Sequence, residues 1–227
     1  MSEDLSVFSS VEVKEIVQDM CNLLSQRRLA FLLGAGCSRC AGLPLMPGLT
    51  KNVLENTILS EETKNILKKI CESFAGAQNP TIEDYMSEII DLLSISERRT
   101  RRGANQSRVF LVDQQIDASE LQIALNEIKN AISSAIGIID VDVTTHQQFI
   151  RAIHSKLQAG KPTRCVDYFI LNYDTLIEDA LGLECVLYCD GFNGAATGWW
   201  NPEIFQLENR AARVFKIHGS IDWCYLK

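Results

Sequence analysis

The 227-residue sequence lacks any apolar run long enough for a transmembrane helix, and it also lacks internal repeats and low-complexity tracts. It has no excess of positive charge either: the formal net charge is -7 at pH 7, which argues against a general attraction for nucleic acid or anionic membranes. The first ten residues, MSEDLSVFSS, are acidic and polar, unlike a signal peptide. We therefore expect a cytoplasmic protein with neither a membrane nor a nucleic-acid partner.

Cysteine, in contrast, is not scarce, and two of the eight cysteines form the pair Cys37-x-x-Cys40. In a cytoplasmic protein we expect these thiols to be reduced. A structural zinc ion would need a second pair of suitable spacing, and Cys185 and Cys189 are separated by three residues with no histidine beside them. We expect no metal ion, while a zinc site and a redox pair at residues 37–40 remain the alternatives.

The hydrophobic pattern predicts helices and a few short strands. Helical spacing of apolar residues predicts helices at residues 10–28, 50–73, 81–95, 118–137, 145–159 and 175–182. Short apolar runs predict strands at residues 29–34, 165–174, 184–190 and 212–220. These strands are apolar along most of their length, which is typical of strands covered on both faces.

This order of elements predicts an α/β protein with a Rossmann-like parallel sheet and a large helical insertion. We expect one domain over residues 1–227, with core strands within about 29–48 and 165–227 and the insertion at about 50–160. Inside the insertion, the basic stretch SERRTRRGANQSR, which contains Arg98 and Arg108, predicts a solvated mobile loop. A contact with RNA, DNA or protein is the alternative interpretation of this stretch.

A glycine-rich segment follows the first predicted strand. The run Leu29–Leu33 breaks into Gly34-Ala35-Gly36, but Arg39 stands where a dinucleotide-binding fingerprint would have its third glycine. Gly34 and Gly36 would allow special backbone angles and close approach of a ligand, and Ser38 adds a hydroxyl. Backbone N–H groups at this point suit a diphosphate, although a plain turn is an equally simple interpretation.

Polar residues also end two of the later strands. Asn172-Tyr173-Asp174 follows a buried run, where an amide and a carboxylate could orient ribose hydroxyls, a carboxamide or water. Alternatively, Asp174 only caps the next helix, which would leave Asn172 unexplained. Because ligands of parallel sheets bind at the carboxyl ends of strands, we expect these segments to meet there.

His218-Gly219-Ser220 is the third such segment, and its histidine is one of only three in the chain. The glycine after His218 suggests that something approaches closely, and imidazole suits acid–base chemistry near neutral pH. His146 and His154 lie on a predicted helix beside Gln147 and Gln148, and we assign them to an ordinary polar surface.

Taken together, GAGCSRCAGLP, LNYDTLIEDAL and KIHGSIDW resemble the sirtuin-like domain of bacterial NAD-consuming anti-phage proteins. The resemblance covers residues 31–48 and 165–224. In that family the fingerprint is Gly-Ala-Gly-x-Ser followed by Gly-(Leu/Ile)-Pro, so no third glycine is expected at Arg39. The matching residues in this sequence are Gly34, Ala35, Gly36, Ser38, Gly42, Leu43 and Pro44.

The resemblance implies a role for each matched segment in binding NAD⁺, which would be a substrate. Asn172 would face the nicotinamide ribose and help to position water, and Asp174 would contact the nicotinamide side. His218 would be the catalytic histidine, acting on a ribose hydroxyl or on water. The remaining residues with an implied NAD⁺-binding role are Gly34, Ala35, Gly36, Ser38, Pro44, Gly219 and Ser220.

The activity implied is that of an NAD⁺ glycohydrolase, which releases nicotinamide and ADP-ribose and depletes cellular NAD⁺ during phage infection. The family also implies a homo-oligomer and gating by a partner ATPase or a phage product. The alternatives are an NAD-dependent protein deacylase and a catalytically silent module that binds NAD or ADP-ribose.

Two departures from related patterns affect these expectations. Deacylases of the sirtuin family carry paired CxxC motifs and continue after the proline with Asp-Phe-Arg, whereas this chain has Leu45-Met46-Pro47. Both differences favour the glycohydrolase. The resemblance also implies further strands after Trp223, so we expect the 227-residue chain to lack its C-terminal strands and to bind NAD⁺ weakly by itself.

Overall fold

The computed structural model contains two compact units. It describes residues 10–24, 28–74, 80–103, 108–137, 140–154, 165–194 and 198–223. The sheet unit consists of residues 1–34 and 143–227, and the helical unit consists of residues 35–142. The sequence places the helical insertion at about 50–160, so the compact helical unit starts and ends earlier in the chain. No described helix is both long and apolar enough to cross a bilayer.

A parallel sheet of four strands forms the centre of the sheet unit. The strands are β1 (Leu29–Leu33), β4 (Val166–Ile170), β5 (Tyr188–Cys189) and β8 (Ala212–Lys216), and their order in the sheet is β1-β4-β8-β5. Leu33 is in register with Ile170, and Ile170 is in register with Lys216. The predicted α/β class and the parallel sheet are therefore confirmed.

One face of this sheet is covered by helices α7 (Thr144–His154) and α8 (Leu176–Leu183). The residues of β4 and β8 that point to this face alternate along the strands, as the two-residue period of a strand requires, and they are buried. They pack against apolar side chains of both helices, in a core that contains Ile150, Ile177, Leu181, Tyr168 and Val214.

The other face is only partly covered. Phe169 and Phe215 stack on this face with ring centroids 4.9 Å apart, and Phe205 stacks on Phe215 at 4.5 Å. Leu32 of β1, however, is 71% exposed. The expectation that the strands are covered on both faces is therefore wrong for β1, because an apolar run does not by itself distinguish burial on one face from burial on two.

Several short elements complete the sheet unit. Helix α1 (Val11–Leu24) precedes β1, and strands β6 (Phe192–Asn193) and β7 (Trp199–Trp200) pair antiparallel. A short 3₁₀ helix, Pro202–Gln206, follows. The predicted strand at 184–190 is reduced to the two residues of β5. Residues 25–27 and 155–159, predicted to be helical, lie outside the described residues.

The helical unit is built from helices and one hairpin. Its helices are α2 (Ala35–Ser38), α3 (Met46–Leu54), α4 (Glu61–Ser73), α5 (Ile82–Arg101) and α6 (Ala118–Gly137), and its strands are β2 (Arg108–Leu111) and β3 (Gln114–Asp117). Fully buried side chains such as Val53, Ile70, Ile89 and Ile128 form its core. The Asp142 amide donates to the Ala41 carbonyl at 3.3 Å, which joins the two ends of this unit.

Two predictions for this region need correction. The helix predicted at 50–73 is two helices, because Ser60 caps α4 by accepting a hydrogen bond from the Thr63 amide. The first part of the basic stretch is helical rather than a loop, since α5 continues through Arg98 to Arg101. Arginine is a good helix former, and positive charge is favourable at the last turn of a helix. Residues 104–107 of the stretch lie outside the described residues.

Candidate functional site

Three of the predicted polar segments follow neighbouring strands at one edge of the sheet. Gly34 follows β1, Asn172 lies two residues after β4, and His218 lies two residues after β8. Because β1, β4 and β8 are parallel and adjacent, their carboxyl ends meet at the same edge. The prediction of a common edge is confirmed for the strand ends at Gly34, Asn172 and His218, whereas the place of Ala35–Ser38 and the chemical roles stay predictions.

Backbone and side-chain hydrogen bonds tie the end of β4 to the end of β1. The Leu171 amide donates to the Leu33 carbonyl at 2.9 Å. One residue further on, the Asn172 side-chain Nδ2 donates to the Gly34 carbonyl at 3.0 Å. Asn172, which is half-buried, therefore connects the Asn-Tyr-Asp segment to the first glycine of the Gly-Ala-Gly segment.

The end of β8 is tied to the same turn from the opposite side. The Ile217 amide donates to the Ile170 carbonyl at 2.9 Å, and the Ile221 amide donates to the Tyr173 carbonyl at 2.9 Å. The Ser220 hydroxyl is 3.4 Å from the same Tyr173 carbonyl. The turn that carries His218 is thus docked on the turn that carries Asn172.

Within the β8 turn, Gly219 has a φ of +100°, in the left-handed region that favours glycine. This backbone requirement explains the glycine after the histidine without a ligand. His218 itself is exposed, so solvent and small molecules have access to it.

Asp174 is 8% exposed and has a structural role. Its Oδ1 accepts a hydrogen bond from the Leu176 amide at 3.2 Å, which satisfies an amide at the start of α8. The N-cap residue of α8 is Thr175, so the capping interpretation of Asp174 holds only in that its carboxylate binds an amide of the first turn. Its predicted contact with nicotinamide stays a prediction.

Beneath these turns lies an ion pair that the sequence analysis missed. Lys216, the last residue of β8, has a side chain that is 1% exposed, and its Nζ lies 3.4 Å from Glu178 Oε1 of α8. The same Nζ donates to the Asp174 carbonyl. Burial raises the pKa of Glu178 to about 7, although the charge of Lys216 acts in the opposite direction. Ala212, Val214 and Lys216 share one face of β8, so this lysine stands where the strand pattern places an apolar residue.

The rest of the glycine segment belongs to the helical unit. Ala35–Ser38 forms one helical turn, in which Gly36 is exposed and Ser38 is 4% exposed, and Pro44 is half-buried further along. A Cβ at Gly36 would meet no atom within 4 Å.

The glycine of this segment that needs special backbone angles is Gly42. It has a φ of +91° and donates its amide to the Arg39 carbonyl at 3.0 Å, whereas Gly34 and Gly36 lie outside the left-handed region. The expectation that Gly34 and Gly36 supply special backbone angles is therefore wrong. The open space at Gly36 still permits close approach of a ligand, which stays a prediction.

The sequence also contains two further histidines, His146 and His154, and the cysteine pair at residues 37 and 40. His146 and His154 are 5% and 3% exposed, so assigning them to a polar surface was wrong. His154 Nε2 is hydrogen-bonded to the Tyr168 hydroxyl at 3.0 Å, and burial lowers the pKa of His154 to about 4. Neither Cys37 nor Cys40 is part of a disulfide, and the Cys40 Sγ lies 3.2 Å from the Cys37 carbonyl. The described residues contain no cluster of three or more histidine, cysteine or acidic side chains able to hold a metal ion.

Comparison of the chain with protein-family models and with curated proteins finds no match.

Proposed function

We propose that the protein is an NAD⁺ glycohydrolase with a sirtuin-like variant of the Rossmann fold. The proposal is supported by three motifs with the same family resemblance, whose segments after β1, β4 and β8 lie at one edge of a parallel sheet. Ligands of open parallel sheets bind at this edge.

The observation that carries the proposal is the hydrogen bond from Asn172 Nδ2 to the Gly34 carbonyl at 3.0 Å. It joins two motifs that are 138 residues apart in the sequence. An asparagine that only stabilised its own turn would not need to bind the glycine motif after β1. The turn that carries His218 docks on the Asn172-Tyr173-Asp174 segment. The meeting of the three motifs at one edge of the sheet favours a reaction site over three unrelated turns.

The chemistry requires few groups from the protein. The bond between ribose C1′ and the nicotinamide nitrogen breaks, and its electron pair neutralises the positive pyridinium ring. Water adds its oxygen to C1′ and loses one proton. In this proposal His218 accepts that proton or orients a ribose hydroxyl, and Asn172 positions the ribose and the water.

The accessibility of the residues is compatible with this division of roles. His218 is exposed and lies two residues after β8, so it can meet a substrate from solvent. Asn172 is half-buried and held at Gly34, so its orientation is set before a substrate binds. The proposed diphosphate-binding role of Gly34, Ala35, Gly36 and Ser38, with Pro44 closing the segment, rests on the resemblance alone.

The biological setting is part of the same proposal. NAD⁺ cleavage in the cytoplasm would deprive an infected cell of NAD⁺ and stop phage production. A homo-oligomer, a partner ATPase or a phage product would supply the control that such a destructive activity needs. These points come from the family resemblance.

Product analysis tests the proposal directly. The purified protein is incubated with NAD⁺ and an acetyl-lysine peptide, and the products are separated by chromatography. We expect nicotinamide and ADP-ribose, with ¹⁸O from labelled water bound at C1′. NADH is the matched control, because its uncharged dihydronicotinamide is a poor leaving group and should not be released. O-acetyl-ADP-ribose would instead show a deacylase, and no product would contradict the proposal.

A further inference from the structure

Two buried charged residues lie close to the strand-end turns. Lys216 and Glu178 have side chains that are 1% and 11% exposed. Removing charged groups from water is unfavourable unless each is paired and hydrogen-bonded, and apolar residues of similar volume usually serve stability as well or better. Stability alone therefore does not explain why a buried lysine stands at an apolar position of β8.

The contacts of Lys216 indicate what that reason is. Its Nζ reaches two elements besides its own strand: the carbonyl of Asp174 in the turn after β4, and Oε1 of Glu178 in α8 at 3.4 Å. The preceding carbonyl, that of Tyr173, accepts the Ile221 amide. Two successive carbonyls of the β4 turn are therefore held by groups from β8 and the turn after it.

Glu178 supplies the counter-charge for the ammonium group. Its second carboxylate oxygen, Oε2, is buried and has no hydrogen-bond partner within the described part of the chain. Glu178 is thus the acidic partner that faces the Lys216 ammonium group.

We propose that Lys216, with Glu178 as its counter-ion, is a positioning residue that fixes the turn carrying Asn172 and thereby the docked turn carrying His218. An apolar side chain at position 216 would fill the core but would remove the hydrogen bond that Nζ donates to the Asp174 carbonyl. Lys216 does not touch the substrate in this account. The catalytic part of the inference rests on the proposed NAD⁺ glycohydrolase function, whereas the structural part does not.

The test compares Lys216→Met with wild type by hydrogen–deuterium exchange and by NAD⁺ kinetics. Methionine keeps an unbranched apolar stem of nearly the length of lysine but cannot donate to the Asp174 carbonyl. Glu178 can take up a proton, so we expect a cooperatively folded variant. Should it fail to fold, the double variant Lys216→Met/Glu178→Gln, which leaves no buried carboxylate, replaces it.

A matched control is Lys69→Met. Lys69 is a largely buried lysine in the helical unit, with a side chain that is 17% exposed and an ion pair to Asp113 at 2.5 Å. Its removal tests whether any loss of a partly buried lysine has the same effect. We expect Lys69→Met to keep wild-type exchange at residues 171–176 and 217–221 and a wild-type kcat.

For Lys216→Met we expect exchange at residues 171–176 and 217–221 to rise about tenfold, with the β1–β4 ladder unchanged. We expect kcat to fall by about 10- to 100-fold with KM little changed, because misplacing groups at the reacting centre by about 1 Å costs rates of this order. Unchanged exchange in both segments would overturn the inference, whatever the activity. If wild type does not cleave NAD⁺, the proposed function fails, and exchange alone still decides the role of Lys216.

Discussion

At the scale of single residues, Gly191 shows how a backbone angle and a close contact together select glycine. Its φ is +94°, and a Cβ at this position would lie 2.1 Å from Cζ3 of Trp200. The Trp200 ring also contacts Phe192, with ring centroids 5.5 Å apart. Any side chain at position 191 must therefore adopt an unfavourable backbone conformation and also displace the indole.

We predict that Gly191→Ala destabilises the protein more than Gly219→Ala. Gly219 is a matched control because its φ is also left-handed, at +100°, while its Cβ would make only an ordinary contact, 3.9 Å from Trp223 Cε3. The left-handed conformation costs about 1–2 kcal/mol in both variants. Displacing Trp200 should add about 1 kcal/mol or more in Gly191→Ala alone.

Urea unfolding followed by tryptophan fluorescence measures both free energies. Equal losses would mean that Trp200 moves away at no cost, which would contradict the described contact.

The residues of the candidate site were predictable to different degrees. Asn172 and His218 are recognisable because polar groups that end apolar strands stand out in a sequence. Lys216 and Glu178 are not, since a lysine at a strand end is usually a surface residue with its charge in water. Its burial depends on α8 covering that face of the sheet, which is information from tertiary structure.

At the scale of elements, the start of α5 has a complete capping box. The Thr81 Oγ1 accepts the Asp84 amide at 3.4 Å, and Asp84 Oδ2 accepts the Thr81 amide at 2.7 Å. Threonine is a favourable N-cap residue, and Glu83 and Asp84 lie in the first turn, where negative charge is favourable. The cap therefore fixes the start of α5, which packs against α6 in the helical unit.

We predict that Thr81→Ala lowers the free energy of unfolding of the helical unit by about 1 kcal/mol, the usual loss for an N-cap. Thr100→Ala is the control within the same helix. The Thr100 hydroxyl donates to the Ser96 carbonyl at 3.0 Å in the last turns, where alanine's higher helix propensity offsets that loss.

Chemical denaturation followed by circular dichroism compares the two variants. A loss for Thr100→Ala as large as that for Thr81→Ala would show that the capping box contributes nothing specific.

The ends of elements were less predictable than their existence. Helix α6 (Ala118–Gly137) matches the predicted range, because apolar spacing identifies a long amphipathic helix well. Strands β2, β3, β6 and β7 were missed, since runs of two to four residues carry too little periodic signal. Helix α1 is amphipathic as predicted, yet apolar residues such as Ile16 and Met20 are 58% and 55% exposed.

At the scale of the whole molecule, the adjacent parallel strands β1, β4 and β8 bring motifs from distant parts of the sequence to one edge of the sheet. Gly34, Asn172 and His218 come from three parts of the chain, and the helical unit separates the first from the other two in sequence. The α/β class was predictable from the apolar runs, and the common edge was predictable from the expected parallel order of the strands. The division at residues 34 and 142 did not, because the sequence has no linker composition at either point.

Nicotinamide release by wild type, Asn172→Ala and His218→Ala is the most direct test of the proposed NAD⁺ cleavage by the strand-end residues. The protein is expressed from its complete gene, and each variant is first shown to unfold as cooperatively as wild type. Asn126→Ala is the control, since Asn126 is an exposed amide in the helical unit whose Oδ1 accepts only a surface hydrogen bond from Gln122 at 3.3 Å.

We predict that wild type and Asn126→Ala release nicotinamide at the same rate. Asn172→Ala and His218→Ala should each be about 10²- to 10⁴-fold slower, the usual effect of removing a positioned acid–base or orienting group. Release at the parental rate by both site variants would contradict the account.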